Sequence, residues 1–85
     1  MTETLEDQRI YAAGIVTEEA AEVIQAISKI NRFGLFSVFN GNTNKELLEG
    51  EIGDLIAGIS ILGQLGVINF ESVESAMHDK FLRLN

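Results

Sequence analysis

Apolar residues return every three or four positions from Ala12 to Ile30, from Leu47 to Leu62 and from Val73 to Phe81, and proline is absent from the chain. That is the period of a helix face, and it predicts an all-α architecture. The first helix is expected to open at Thr4, whose hydroxyl can cap it, with Glu6 and Asp7 in the first turn to complement the dipole. It should run to about Arg32, with Ala12, Ile15, Val16, Ala20, Val23, Ile24, Ile27 and Ile30 as its apolar face. Gly14 is its weak point, at up to about 1 kcal/mol against alanine. A break there, with Thr17 as a fresh N-cap, is the alternative.

Phe33 to Asn42 departs from the pattern through Gly34, Asn40, Gly41 and Asn42, which mark a loop of about ten residues. The loop carries Phe33, Phe36 and Phe39, whose rings are expected to fold onto the helix ends or a second subunit. The functional alternative is that one of them stacks on a base. Thr43-Asn44-Lys45-Glu46 then matches a capping box and opens a second helix, predicted to reach about Leu65 and stop at Gly66. Its apolar face is Leu47, Leu48, Ile52, Leu55, Ile56, Ile59 and Leu62. Gly50, Gly53, Gly58 and Gly63 inside it each weaken a helix by roughly 0.5–1 kcal/mol, which is tolerable where another backbone must come close. Gly58 lies beside Glu51 on the wheel and is the expected point of approach for a partner helix. Asn69 can cap a third helix running to about Leu82, with Val73, Met77, Phe81 and Leu84 as its inner stripe. The fold expected is a long antiparallel helix pair plus a short C-terminal helix, in one domain over residues 1–85.

Two acidic runs interrupt the apolar faces instead of lying opposite them. Glu19 falls in the sector of Ala12, Ile15, Val23, Ala26 and Ile30, with Glu22 at its edge; Glu51 falls among Leu47, Leu55, Gly58 and Leu62, with Asp54 at the margin. Residues three apart on a helix are neighbours, so each helix presents a carboxylate pair. An ionised carboxylate removed from water without a partner is destabilised by several kcal/mol, and Lys29 alone cannot neutralise four of them. A divalent cation can, and an oxygen-only donor set suits Mg²⁺, with Mn²⁺ possible. Glu71 and Glu74 form a further pair with the same spacing, but at a helix start and off its inner stripe they read as surface acids complementing the dipole.

The formal net charge of −7 disfavours nonspecific binding to nucleic acid or to an anionic membrane. Glu19, Glu22, Glu51 and Asp54 account for four of those charges, so much of the acidity belongs to the candidate site. No cysteine is present, which excludes thiolate metal sites and disulfides. No apolar run approaches membrane-spanning length. The first seven residues carry acids where a secretory signal would carry a basic and then an apolar segment, so a cytoplasmic protein is expected. There is no glycine-rich phosphate loop. His78, beside Asp79, is the only histidine and reads as a surface residue, which leaves serine hydrolase chemistry without a suitable base. Eighty-five residues make a small core, and oligomerisation is expected.

Glu19-x-x-Glu22 followed by Glu51-x-x-Asp54, with the flanking words Thr17-Glu18-Glu19-Ala20-Ala21-Glu22-Val23 and Leu48-Glu49-Gly50-Glu51-Ile52-Gly53-Asp54-Leu55-Ile56, resembles the signature of the MazG-like all-α nucleoside triphosphate pyrophosphohydrolases. Ser28-Lys29-Ile30-Asn31-Arg32-Phe33-Gly34 is similar to the segment after the first motif in short phage and bacterial members. The resemblance, which covers about Gly14 to Leu65, implies Mg²⁺-dependent cleavage between the α and β phosphates of a (deoxy)nucleoside triphosphate, releasing a monophosphate and pyrophosphate. Glu19, Glu22, Glu51 and Asp54 would be the metal ligands, and Glu18 the residue that orients or deprotonates the attacking water. Lys29 would reach a phosphate, with Arg32 and Asn44 as further phosphate, base or sugar contacts. It also implies a homodimer or homotetramer in which helix pairs complete a four-helix bundle. Two other readings remain open: a pyrophosphohydrolase of phosphoribosyl-ATP or an alarmone, and a non-catalytic helical nucleotide-binding or interaction module.

Overall fold

The computed structural model describes residues 2–85. They form helix α1 (Leu5–Phe33), strands β1 (Val38–Phe39) and β2 (Asn42–Thr43), helix α2 (Asn44–Gln64) and helix α3 (Phe70–Leu84). The chain is thus mostly helical, a long pair plus a short C-terminal helix, as its periodicity predicts.

Each helix starts where a local hydrogen bond satisfies its free N–H groups. The Asp7 amide donates to Thr4 Oγ1 at 3.0 Å, and the Thr4 amide donates back to Asp7 Oδ2 at 3.2 Å. Thr43 and Glu46 repeat this reciprocal box on α2, and Asn69 Oδ1 accepts from the Ser72 amide on α3. α1 runs unbroken through Gly14, so the alternative break is not taken: Thr17 Oγ1 donates to the Ala13 carbonyl one turn back instead of capping a new helix. At the end of α2, Gly66 adopts φ +74°, and the Gly66 and Val67 amides return to the carbonyls of Gly63 and Leu62. This is the paired closure that a left-handed residue after a helix allows. Arg9 Nε on α1 donates to the Leu65 carbonyl at 2.7 Å, tying that corner back to the first helix.

The segment expected to be an irregular loop contains a miniature hairpin. Val38 pairs with Thr43 and Phe39 with Asn42 across a turn in which Asn40 (φ +50°) and Gly41 (φ +85°) are both left-handed. Asn-Gly between two short runs is the sequence for that turn, because its twist matches that of the strands.

α1 and α2 pack antiparallel, and they pack closely because the residues at the seam are small. Ala12 and Ala26 are buried on α1 and Gly58 on α2. A methyl group at Gly58 would stand 3.1 Å from Val16 Cγ2 and 3.7 Å from Ile15 Cγ2. The residue proposed to admit a partner helix therefore admits α1 of its own chain. The expected inner stripe of α3 has no such cover: Val73, Met77, Phe81 and Leu84 are all exposed, because α3 leaves the helix pair after Phe70 has rested its ring on Gly63. Ile24, Ile27, Ile52 and Ile56 on the long pair are exposed too. The accessible surface is 6516 Å², against about 5,000 Å² for a compact monomer of this mass. The radius of gyration is 16.0 Å, against about 12 Å for a compact chain of this length.

Two glycine substitutions should separate packing from propensity. Gly58→Val should destabilise by about 1–3 kcal/mol through overpacking against Val16, whereas Gly14→Ala, with open space around its Cβ, should stabilise by about 0.5–1 kcal/mol. Denaturant melts of the two variants would measure both signs.

Candidate metal centre

Antiparallel packing brings the middle of α1 against the first half of α2, and the two acidic runs meet there. Glu19, Glu22 and Glu51 each place a carboxylate oxygen within 4.8 Å of the others. Glu19 and Glu51 are half-buried while Glu22 is exposed, matching the wheel positions of centre and edge. One oxygen on each helix, Glu19 Oε2 and Glu51 Oε2, is sealed from solvent and has no hydrogen-bond partner.

Charge of one sign is thereby concentrated, and none of these carboxylates is in an ion pair among the described residues. Burial pushes the Glu19 carboxyl above its ordinary value of 4.5, and the charges of Glu22, Asp54 and Glu18 push it further. Glu51 is also raised, first because Glu22 lies close enough to share a proton with it, then by burial and by the charges of Glu22, Asp54 and Glu19. The basic side chains of the helix pair make their closest described contacts with other groups. Lys45 pairs with Glu49 at 2.9 Å, the one ion pair among the described residues. Arg9 is bonded to the Leu65 carbonyl, the Lys29 ammonium sits 5.3 Å from the centre of the Phe39 ring, and the Arg32 guanidinium sits 5.0 Å from that of Phe33. A cation over an exposed ring is worth only about 0.5–1 kcal/mol, so Lys29 is free to move to a stronger anion.

Orphaned, sealed carboxylate oxygens from two helices fit a hard divalent cation, which takes oxygen ligands and accepts water at its remaining positions. Asp54 and Glu18 stand outside the three-oxygen group. Both are exposed, and both are near enough for their charge to act on Glu19.

Beside the carboxylates lies a cavity of about 110 Å³ lined by Glu22, Gln25, Ala26, Lys29, Asn44, Leu47 and Glu51. Gln25 was not among the sequence candidates, although it stands three residues after Glu22 on the same helix, a spacing that places it beside the acid. A second recess of about 290 Å³ is lined by Lys29, Phe33, Ser37, Val38, Phe39 and Asn44. Lys29 and Asn44 border both. Asn44 is 4% exposed and donates through Nδ2 to the Gly34 carbonyl at 3.0 Å, while its backbone amide reaches the Ser37 carbonyl at 2.9 Å. It pins the hairpin to the start of α2, a role that its place in the capping box did not reveal. Arg32 borders neither cavity. No helix among the described residues is long and apolar enough to cross a membrane.

A family model described as the MazG nucleotide pyrophosphohydrolase domain matches residues 10–84. No curated protein and no solved structure matches the chain.

The raised carboxyls have a definite sign for stability. A folded carboxyl that holds its proton more tightly than the unfolded one stabilises the fold below the unfolded pKa, and that stability is lost as pH rises through the folded value. In EDTA the melting temperature should therefore rise as pH falls through the raised folded values towards 4.5. Glu46 acts oppositely and lower: hydrogen bonds from Thr43 hold it ionised, so its contribution is lost only below 4.5. Glu51→Gln should melt higher than the parent at neutral pH in EDTA, and the order should reverse when a divalent cation is added. Thermal melts across pH, with and without Mg²⁺, test both statements.

Proposed function

Because the chain belongs to the MazG nucleotide pyrophosphohydrolase family, we propose that it hydrolyses a (deoxy)nucleoside triphosphate between the α and β phosphates, giving the monophosphate and pyrophosphate in an Mg²⁺-dependent reaction. The observation that carries this reading is the pair of sealed, unpartnered oxygens Glu19 Oε2 and Glu51 Oε2, one on each helix. Glu19, Glu22 and Glu51 hold the cation, and Asp54 completes the acidic set from the rim. Bound there, Mg²⁺ or Mn²⁺ supplies positive charge to phosphate oxygens and lowers the pKa of a coordinated water.

The chain's own residues do the rest. Without the cation, seven net negative charges would repel a polyphosphate, so the acids both recruit the metal and make phosphate binding conditional on it. Lys29 leaves the face of Phe39 and takes a phosphate oxygen, since a charge-assisted bond of about 1.5–3 kcal/mol exceeds what the ring offers. Glu18, beside Glu19 and open to solvent, orients or deprotonates the attacking water. Arg32, one turn beyond Lys29 near the hairpin, is a second phosphate contact. Asn44 acts mainly by fixing the hairpin that borders the site.

The active form is a homodimer or homotetramer in which helix pairs complete a four-helix bundle. Supporting this are the excess surface and the uncovered Ile24, Ile27, Ile52 and Ile56 on the long pair, together with the uncovered stripe of α3. A bundle buries such faces in a shared core.

Two outcomes are expected. Glu51→Gln should lower pyrophosphate release by about 10²-fold or more with the oligomer intact, and EDTA should abolish release until Mg²⁺ is restored. A panel of triphosphates scored by pyrophosphate appearance measures this, and undiminished turnover by Glu51→Gln or in EDTA would refute the assignment. Met77→Lys combined with Phe81→Lys should shift the mass in light scattering towards a smaller species; an unchanged mass would remove α3 from the interface.

A further inference from the structure

Asn40 and Gly41 are the whole connection between β1 and β2, both left-handed, at φ +50° and +85°. Both are exposed. The chain holds asparagine at positions 31, 40, 42, 44, 69 and 85, and Asn40 alone is followed by glycine. That neighbour matters chemically. The side-chain amide of an asparagine is open to attack by the backbone nitrogen of the next residue, and glycine, lacking Cβ, leaves the approach unobstructed. The strand pairs are Val38 with Thr43 and Phe39 with Asn42, so the Gly41 amide lies outside the ladder.

The reaction needs water and no other reagent. The Gly41 nitrogen bonds to Asn40 Cγ, the Cγ–Nδ2 bond breaks, and the proton of the Gly41 amide leaves with Nδ2 as ammonia. Water then opens the five-membered imide, and nothing is oxidised or reduced. Cleavage between the nitrogen and Cγ gives aspartate. Cleavage between the nitrogen and the backbone carbonyl carbon gives isoaspartate, whose main chain runs through Cβ and Cγ.

The folded turn opposes ring closure. The ring needs Asn40 Cβ and the Gly41 nitrogen eclipsed about the Cα–C bond, a torsion that a left-handed residue does not hold. The hairpin must therefore open first. Strands of two residues are marginal by themselves, so the turn depends on its anchorage. Asn44 Nδ2 donates to the Gly34 carbonyl at 3.0 Å, and the Asn44 and Lys45 amides donate to the Ser37 and Leu35 carbonyls, each at 2.9 Å.

We infer that Asn40 is a self-modification site, converted with loss of ammonia to aspartate and isoaspartate at a rate set by opening of the hairpin that Asn44 anchors. Isoaspartate lengthens the main chain of a two-residue turn by one carbon, which the pairing of Phe39 with Asn42 does not accommodate. The change therefore unmakes the hairpin in one direction. The aspartate product adds a charge and keeps the turn, since aspartate also serves there.

The test incubates the intact protein at neutral pH and follows each asparagine by peptide mass mapping, with chromatography to separate the isoaspartyl form. The same chain unfolded in guanidinium is the reference. Unfolded, Asn40 should react fastest of the six asparagines; folded, it should react at least about tenfold more slowly and still ahead of the other five. Asn44→Ala should speed the folded reaction by about 2–10-fold, the weight of one hydrogen bond. Gly58→Val, which loosens the helix pair, should leave the rate within about twofold, because the opening is local. The isoaspartyl fraction should lose the hairpin amide resonances of Phe39 and Asn42, whereas Asn40→Asp should retain them. Any of four results would overturn the inference: a folded chain that stays unmodified while the unfolded one reacts, equal rates in the two states, a silent Asn44→Ala, or a Gly58→Val that accelerates as much as Asn44→Ala.

Discussion

Two carboxylate oxygens, Glu19 Oε2 and Glu51 Oε2, are shut away from water at the seam of two antiparallel helices with no hydrogen-bond partner among the described residues. Isolated negative charge in such a place opposes folding. Glu22 and Asp54 make it worse, since their charges raise both half-buried carboxyls. Much of the surrounding structure bears on how closely those acids are held. Ala12, Ala26 and Gly58 let the helices approach, and a close approach brings acids from separate helices within a single ion's reach. The Arg9 bond to the Leu65 carbonyl and the Asn44 bond to the Gly34 carbonyl fasten the two ends of the pair.

The same helix pair leaves much of its apolar surface exposed. Its fully buried apolar side chains are two alanines, while Ile15, Val16, Val23, Ile30, Leu47, Leu55, Ile59 and Leu62 are half-buried along the seam. The isoleucines at 24, 27, 52 and 56 and the apolar stripe of α3 lie open. The fold is drawn out to 45 × 41 × 14 Å.

What could be read in the chain depended on the range of the interaction. Thr4, Thr43 and Asn69 act within three residues of themselves, so their caps and the helix starts were legible. The carboxylate pairs were legible because wheel position alone set Glu19 and Glu51 among apolar neighbours. The hairpin was missed although Asn40-Gly41 announces it, because strands of two residues leave no alternation to detect. Asn44 was read as a ligand contact near the helix mouth. Its burial against Gly34 depends on how the hairpin folds back, which spacing does not encode.

The sequence by itself determined that the chain is helical, where each helix begins, and that carboxylates interrupt two apolar faces, since all of these follow from residues within a turn or two of one another. Only the tertiary structure decided that Glu19, Glu22 and Glu51 converge while Asp54 stays at the rim, that Gly58 receives α1 of its own chain, and that α3 keeps its apolar stripe uncovered. Those outcomes turn on the register and crossing of α1 on α2, which is a property of the packed pair and of neither helix alone.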